Sequence, residues 1–494
     1  MPAPDTAIPF DNSYQRLPPR LYAEVKATPV AQPGLLRINT ALCRQLGMDP
    51  DWLASEEGIA VLAGNAVPGG ATPIATVYAG HQFGQFNPQL GDGRALLLGE
   101  VVDRDGRRFD IQLKGSGRTP YSRGGDGRSP LGPVVREYLV SEAMHALGVP
   151  STRALAAVTT GEPVVRSRVE PGAILARVAS SHIRIGTFQF FAARGDTEAL
   201  EALTRHALSR HYPELADADN PALSLLQGVI ARQAALVAKW QHLGFVHGVM
   251  NTDNMLICGE TVDYGPCAFI EDFQPDAVFS SIDHAGRYAY RNQPGIAHWN
   301  LARLAETLVP LIAEDEERAV ELAKAAIGAF PDLFSEAHAS GLAAKLGLSS
   351  IGAEDKSLVE ELFETMAQHR LDFTLTFRYL SGLHAADDEV HALADLFAAP
   401  TELDDWVERW MRRLAAEKTD GSAICAAMRA RNPLFIPRNH LVQRAISAGE
   451  DGDHSVFNRY LERFLDPFTF SADDLEAARP ATPEETVRQT FCGT

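Results

Sequence analysis

Two loops built of glycine and arginine carry the first chemical signal: Gly91-Asp92-Gly93-Arg94, and the run from Gly115 to Arg128. Glycine lets backbone N–H groups approach an anion closely, and guanidinium binds phosphate oxygens in pairs, so such loops suit a phosphate. Taken singly, a Gly-Asp-Gly sequence is more often only a turn. Charge adds weight, because the chain carries 45 Lys and Arg against 64 Asp and Glu, a net −19, whereas residues 101–190 hold more basic than acidic side chains. A small anion belongs in that region. Further along, Phe245-Val-His-Gly-Val-Met-Asn-Thr-Asp-Asn254 is followed by Val262-Asp-Tyr-Gly265, which gathers His247, Asp253, Asn254 and Asp263 within seventeen residues.

These residues need elements to hold them. Ala95 to Val102 reads as a strand, Asp103 to Gly106 as a tight turn, and Arg108 to Lys114 alternates Phe109, Ile111 and Leu113 with Asp110, Gln112 and Lys114. The result is a β-hairpin ending in a lysine on its polar face. Pro133 to Leu147 has helical periodicity, with Glu137 in its first or second turn and Gly148 and Pro150 ending it. Val158–Val165 and Ile174–Val178 are strand-like, and Pro221–Leu243 reads as a long, largely buried helix. From His298 to Leu465 helix follows helix, including Trp299–Ile312, Ser357–Ser381, Glu402–Glu417 and Ser455–Phe464. Residues 1–80 are rich in Pro and Gly and predict irregular structure leading into a first domain.

The constellation resembles the catalytic core of a protein-kinase-like phosphotransferase. In that fold a histidine opens the catalytic loop, an Asn seven residues later and the Asp of a DFG motif hold a metal on the nucleotide phosphates, and a strand lysine pairs with a helix glutamate. His247 and Asn254, then Asp263-Tyr264-Gly265 after a short hydrophobic hairpin, match the first two features, and Lys114 and Glu137 match the pair. Val249 stands where such a kinase has the aspartate that accepts the substrate proton. Ordinary phosphoryl transfer and a catalytically silent nucleotide-binding scaffold therefore stand as alternatives, while Asp253 offers a carboxylate beside the metal ligand.

Three runs, YAGHQFGQFNPQLGDGR (Tyr78–Arg94), QLKGSGRTPYSRGGDGR (Gln112–Arg128) and HGVMNTDNM (His247–Met255), strongly resemble the selenoprotein O family, with dense motifs from about Tyr78 to Arg303. The resemblance implies a pseudokinase-fold protein adenylyltransferase that binds ATP inverted and transfers AMP to Ser, Thr or Tyr hydroxyls of proteins. It implies Asp253 as proton acceptor, and Asn254 and Asp263 as ligands of Mg²⁺, with Mn²⁺ as an alternative. Gly91, Gly93, Arg94, Lys114, Asp126, Gly127, Arg177, Arg184 and Asp263 match its nucleotide contacts, and Glu137 orients Lys114. Without the resemblance, Arg177 and Arg184 would read as solvated surface charges.

The fold expected is α+β: a protein-kinase-like two-lobed body with an N-terminal extension and an all-helical C-terminal extension. Its units are 1–80 (extension packed on the core), 81–190 (β-containing nucleotide-binding lobe), 191–310 (helical lobe with the catalytic and metal-binding loops) and 311–494 (helical extension with a terminal Cys). At 494 residues, 45% hydrophobic and 22% charged, the chain has a globular composition. The acidic balance argues against nucleic acid as a partner. Five cysteines without a CxxC pair or zinc spacing, no leader-like N-terminus and no stretch of eighteen uncharged apolar residues predict a cytoplasmic protein with no membrane partner. Cys492, third from the end, is where some family members carry selenocysteine. A reversible disulfide from it to Cys267, or second to Cys258, would gate activity. His81, His145 and His284 suit no metal spacing.

Overall fold

The hairpin expected at residues 95–114 is the middle of the principal sheet. In the computed structural model, which describes residues 8–491 apart from 384, 386, 398–399 and 418–419, the strands are β1 (Tyr22–Glu24), β2 (Gly34–Ile38), β3 (Ile74–Thr76), β4 (Gly80–Gln82), β5 (Gln85–Asn87), β6 (Ala95–Val102), β7 (Arg108–Lys114), β8 (Ser129–Pro130), β9 (Arg153–Val165) and β10 (Val169–Ala179). The principal sheet runs β1-β3-β6-β7-β10-β9-β2, with β8 on β10, while β4 and β5 form a separate hairpin. The Pro/Gly-rich first eighty residues are thus not simply irregular: β1, β2 and β3 extend both edges of the sheet. Three to five residues suffice there because the pairing partner is already in place.

Register decides which side chains meet. β7 and β10 are antiparallel with Lys114 opposite Leu175 and Gln112 opposite Arg177, and directly paired residues share a face. Lys114 and Arg177 therefore stand on the same side of the sheet. On that side lies α4 (Leu131–Ala146), whose Val134, Val135, Tyr138 and Leu139 pack with Leu97, Ala157 and Leu175. Gly148, at φ +76°, lets the chain turn back after α4. The opposite side of the sheet buries Leu96, Leu98, Ile111, Leu113, Ile174 and Val178 against the short helices α1 (Thr40–Gln45), α2 (Pro50–Leu53) and α3 (Glu56–Leu62).

The chain then becomes helical: α5 (Ile185–Ala192), α6 (Thr197–His211), α7 (Pro221–His242) and α8 (Gln293–Ile312). Arg210 of α6 reaches back to the sheet, 3.2 Å from Glu100 of β6 and 2.6 Å from Asp110 of β7, with all three side chains at most 5% exposed. α7 is long and apolar enough to cross a membrane by length and composition, yet it carries Arg232 and Lys239 and is the long, largely buried helix that the sequence predicts. Its Leu225, Leu226, Val229, Ile230, Val237 and Trp240 lie in the core.

Residues 357–381 are not one helix: Lys356–His369 ends at Arg370 in the left-handed region (φ +53°), and Asp372 caps Phe373–Leu380 through the Leu375 N–H. Residues 255–262 form no hairpin of named strands, only isolated bridges from Leu256 to Arg184 and from Thr261 to Ser151. The catalytic segment is instead framed by β11 (Phe245–Val246), which pairs with β12 (Ala268–Phe269). Near the C-terminus, Asn439–Glu450 and Ser455–Leu465 pack on α4, with the Tyr138 and Phe457 rings edge-on at 5.4 Å.

Candidate active site

A cleft of about 770 Å³ opens between the sheet and the helical part. Gly91, Gly93, Arg94, Lys114, Asp126, Gly127, Glu137, Arg177, Arg184, Asp253, Asn254 and Asp263 all line it. At its floor three cations converge on one carboxylate. Lys114 Nζ is 2.6 Å from Glu137 Oε2 and 2.8 Å from Asp263 Oδ1. Arg177 Nη1 is 2.9 Å from Glu137 Oε1 and 2.8 Å from Asp263 Oδ1, and Arg184 Nη1 is 3.0 Å from Asp263 Oδ2. The two arginines are 2% and 3% exposed, so neither is a solvated surface charge. Burial alone would raise the Asp263 carboxyl, but Lys114, Arg177 and Arg184 hold it well below the ordinary carboxylate range. Burial likewise opposes the charged Glu137, and Lys114 and Arg177 overcome it. Asp263 sits at φ +63°, a left-handed backbone that is uncommon outside glycine. The Arg184 guanidinium also lies 4.8 Å from the Tyr78 ring centroid.

The glycine-rich loops form one wall by packing on each other. Thr119 Oγ1 donates to Asp92 O at 2.6 Å and Ser122 Oγ donates to Gly93 O at 2.5 Å. A Cβ at Gly91 (φ +129°) would sit 2.5 Å from the Tyr121 ring, so this approach requires glycine. The Asp126 carboxylate is bound to Arg166, with contacts of 2.8 and 2.9 Å, and caps the Arg128 N–H. It fixes the loop that carries Gly127.

On the opposite wall, His247 is buried. Its ring is 2.9 Å from Val262 O, and burial lowers its pKa. It braces the loop from inside. Val249 lines the cleft. Asp253 is 6% exposed, and burial raises its carboxyl to about 6. Asn254 Nδ2 donates to Val249 O at 2.9 Å, which leaves the amide oxygen as the atom that could hold a metal. That oxygen and the Asp263 carboxylate are hard donors suited to Mg²⁺ or Mn²⁺. Among the described residues no group of three or more His, Cys, Asp or Glu can hold an ion, so this pair does not form a closed metal site by itself.

The family model described as Protein adenylyltransferase SelO matches residues 4–465. The chain belongs to the SelO family. It is 59% identical over 488 residues to a protein named protein nucleotidyltransferase YdiU from Rhodopseudomonas palustris (strain BisB5), 56% over 491 residues to one from Bradyrhizobium diazoefficiens, and 58% over 494 residues to one from Methylorubrum extorquens, with 99% of each chain covered. As a SelO-family member, the chain is a nucleotidyltransferase.

Several residues in or behind this SelO-family cleft escaped the sequence reading. Asp92 is buried and accepts from Thr76 N–H (2.9 Å) and Thr76 Oγ1 (2.7 Å), tying the first glycine loop to β3. Asn251 Oδ1 accepts from Phe83 N–H (3.1 Å) and from the Tyr288 hydroxyl (2.6 Å). Arg136, one residue before Glu137, donates to Gly265 O at 2.7 Å and to Cys267 O, and so holds the segment after Asp263 against α4. The run Tyr78–Arg94 was the available signal for Asp92. Cys267 does not line the cleft: it is 1% exposed, Sγ is 3.3 Å from Tyr264 O, and burial pushes its thiol up to about 11. Cys258 is also buried. Cys492 lies outside the described residues.

Proposed function

We propose that this nucleotidyltransferase moves AMP from ATP to Ser, Thr or Tyr hydroxyls of proteins and releases pyrophosphate. The observation that carries the reading is the convergence of Lys114, Arg177 and Arg184 on Asp263, facing a wall with Asp253 in place and Val249 at the usual kinase base position. Three cations in one low-dielectric floor suit a triphosphate and the charge that develops on a pyrophosphate leaving group. We read the fold as kinase-like and two-lobed, divided near residues 80, 190 and 310, with the nucleotide inverted so that its α-phosphate faces the acceptor.

In this reading the acceptor hydroxyl oxygen attacks the α-phosphorus, the bond from that phosphorus to the pyrophosphate oxygen breaks, and the hydroxyl proton passes to Asp253. Glu137 orients Lys114. Gly91, Gly93, Arg94, Asp126 and Gly127 shape the nucleotide wall. Asn254 and Asp263 would hold Mg²⁺, or Mn²⁺, which would supply a Lewis acid to offset the negative charge of the phosphates. The partners are ATP and hydroxyl-bearing proteins, with neither nucleic acid nor membrane, and the cytoplasm is the compartment that suits the free thiols of Cys43, Cys258 and Cys267. Product analysis tests the reading. Acceptor-dependent release of pyrophosphate supports it, acceptor-dependent release of ADP favours an ordinary phosphotransferase, and tight ATP binding with neither product favours a scaffold.

A redox gate between Cys492 and Cys267 belongs to the same reading. Its support is that Thr490 Oγ1 donates to Pro266 O at 2.7 Å, which brings the end of the described chain beside Cys267.

A further inference from the structure

The hairpin β4–β5 belongs to neither the principal sheet nor the helical part, yet it makes a row of contacts with the catalytic loop. His81 N–H donates to Thr252 Oγ1 at 2.7 Å, Gln82 Nε2 donates to Asp253 Oδ2 at 3.1 Å, and Phe83 N–H donates to Asn251 Oδ1 at 3.1 Å. Three successive residues of one strand and turn thus bind three successive residues of the loop. Thr252 is fixed a second time, because its hydroxyl donates to Gln189 Oε1 at 2.5 Å while Gln189 Nε2 is 2.8 Å from His81 Nδ1. The turn joining the strands has Phe83 at φ +51° and Gly84 at φ +83°, a pair of left-handed residues that makes a tight two-residue hairpin. A phenylalanine in that region is strained. Its ring stays near Tyr288, with centroids 5.1 Å apart, and Tyr288 in turn binds Asn251.

We infer that β4–β5 is the positioning element for the Asp253 carboxylate, with Gln82 and Gly80 as the two residues that hold it in one orientation. The inference rests on the assignment of Asp253 as proton acceptor. Among the described residues Asp253 Oδ1 is buried without a hydrogen-bond partner, and a Cβ at Gly80 would fall 2.5 Å from that oxygen and 3.0 Å from Asp253 Cβ. One oxygen is therefore wedged against a glycine that leaves it room, and the other is anchored by an amide. A carboxylate only accepts, so the Gln82 nitrogen must face it. Gln82 lines the cleft and acts through Asp253, which makes it a positioning residue. Fixing the base within hydrogen-bond reach of the acceptor proton governs turnover rather than nucleotide affinity.

The test measures kcat together with ATP affinity, the latter by titration of a fluorescent ATP analogue, for Gln82→Met, Gln82→Glu, Gly80→Ala and Asp253→Ala. Gln82→Met keeps the length of the side chain and removes its donor, so kcat should fall about ten-fold with ATP affinity held within about two-fold. Gln82→Glu has the same shape as glutamine but turns an acceptor toward an acceptor, and it should lose more. Gly80→Ala should lose turnover by pushing the carboxylate aside, and the half-exposed Gln82 series decides the matter if that variant does not fold. Unchanged kcat in Gln82→Met, full activity in Gln82→Glu, or a fall in kcat matched by a fall in ATP affinity overturns the inference. Full activity in Asp253→Ala removes the base assignment itself, whereas an impaired Asp253→Ala beside fully active Gln82 variants leaves that assignment standing and sinks only the role of the hairpin.

Discussion

Arg177 and Asp263 meet at 2.8 Å, joining a central strand of the sheet to the loop that follows the catalytic segment. The same guanidinium binds Glu137 of α4, so one buried cation ties three elements together at the floor of the cleft.

Asp263→Ala removes the carboxylate on which Lys114, Arg177 and Arg184 converge, and with it the only acidic member of the proposed metal pair. Transfer should be abolished, and the gain in ATP affinity conferred by Mg²⁺ should disappear. Calorimetric titration of ATP with and without Mg²⁺ checks this. Metal-dependent ATP binding that survives in Asp263→Ala would remove Asp263 from the metal site.

Arg177→Ala leaves Glu137 and Asp263 beside each other with only Lys114 and Arg184 to offset them. Removing one partner of a buried ion pair costs about 3–5 kcal/mol, so chemical denaturation should show a large loss of stability. Arg177→Lys should recover only part of it, because an ammonium cannot reproduce the fork that also donates to Gln112 Oε1 at 2.7 Å.

How far the sequence carried the account depends on the range of each interaction. Lys114 was legible from strict alternation along β7, and Glu137 from helical spacing, because both signals are local. Arg177 and Arg184 were legible only through the family resemblance, since their burial follows from the register of β10 against β7 and from the bridge between Arg184 and Leu256. β1 and β3 are three residues long and lie among prolines and glycines, so no periodicity could mark them. The break at Arg370 was hidden because the apolar pattern runs through it, while the left-handed backbone and the Asp372 cap depend on tertiary contacts such as Arg438 to Asp372 at 2.7 Å. Gln82 stands in the Tyr78–Arg94 run, but nothing in that run pairs it with Asp253 until its strand is seen against the loop.

Lys345 gives a prediction about pH. It is 4% exposed, its Nζ donates to Asn432 Oδ1 at 2.7 Å and lies 4.1 Å from the Phe377 ring centroid, and burial lowers its pKa from 10.5 to about 7. Between those two values the unfolded chain holds a proton that the folded chain has released, so this group makes stability rise with pH from about 7 to 10.5. Lys345→Met should flatten that rise, read as Tm across the interval against the parent protein. Parallel curves for the two proteins would contradict it.

The redox proposal predicts a peptide pair linking Cys492 to Cys267 in the non-reduced protein after oxidation, and a change of activity on adding reductant. Because Cys267 is buried with its thiol pushed up to about 11, linkage should form slowly and speed up under mild denaturant that loosens the segment. Peptide mapping that finds Cys492 free under oxidising conditions, with activity indifferent to reductant, leaves this cysteine without a gating role.

Asp253→Ala should lower turnover sharply while sparing most ATP binding, since among the described residues its carboxylate makes no ion pair with the cations that converge on Asp263. A variant that loses ATP binding in proportion would mark Asp253 as a nucleotide ligand instead of a base.

Which phosphorus of ATP ends on protein is the most direct measurement of all. Incubated with Mg²⁺ and ATP labelled at the α-phosphate, the enzyme or an added protein acceptor should become labelled, and ATP labelled at the γ-phosphate should leave both unlabelled. Label arriving from the γ-phosphate and not from the α-phosphate would contradict AMP transfer and return the cleft to ordinary phosphoryl chemistry.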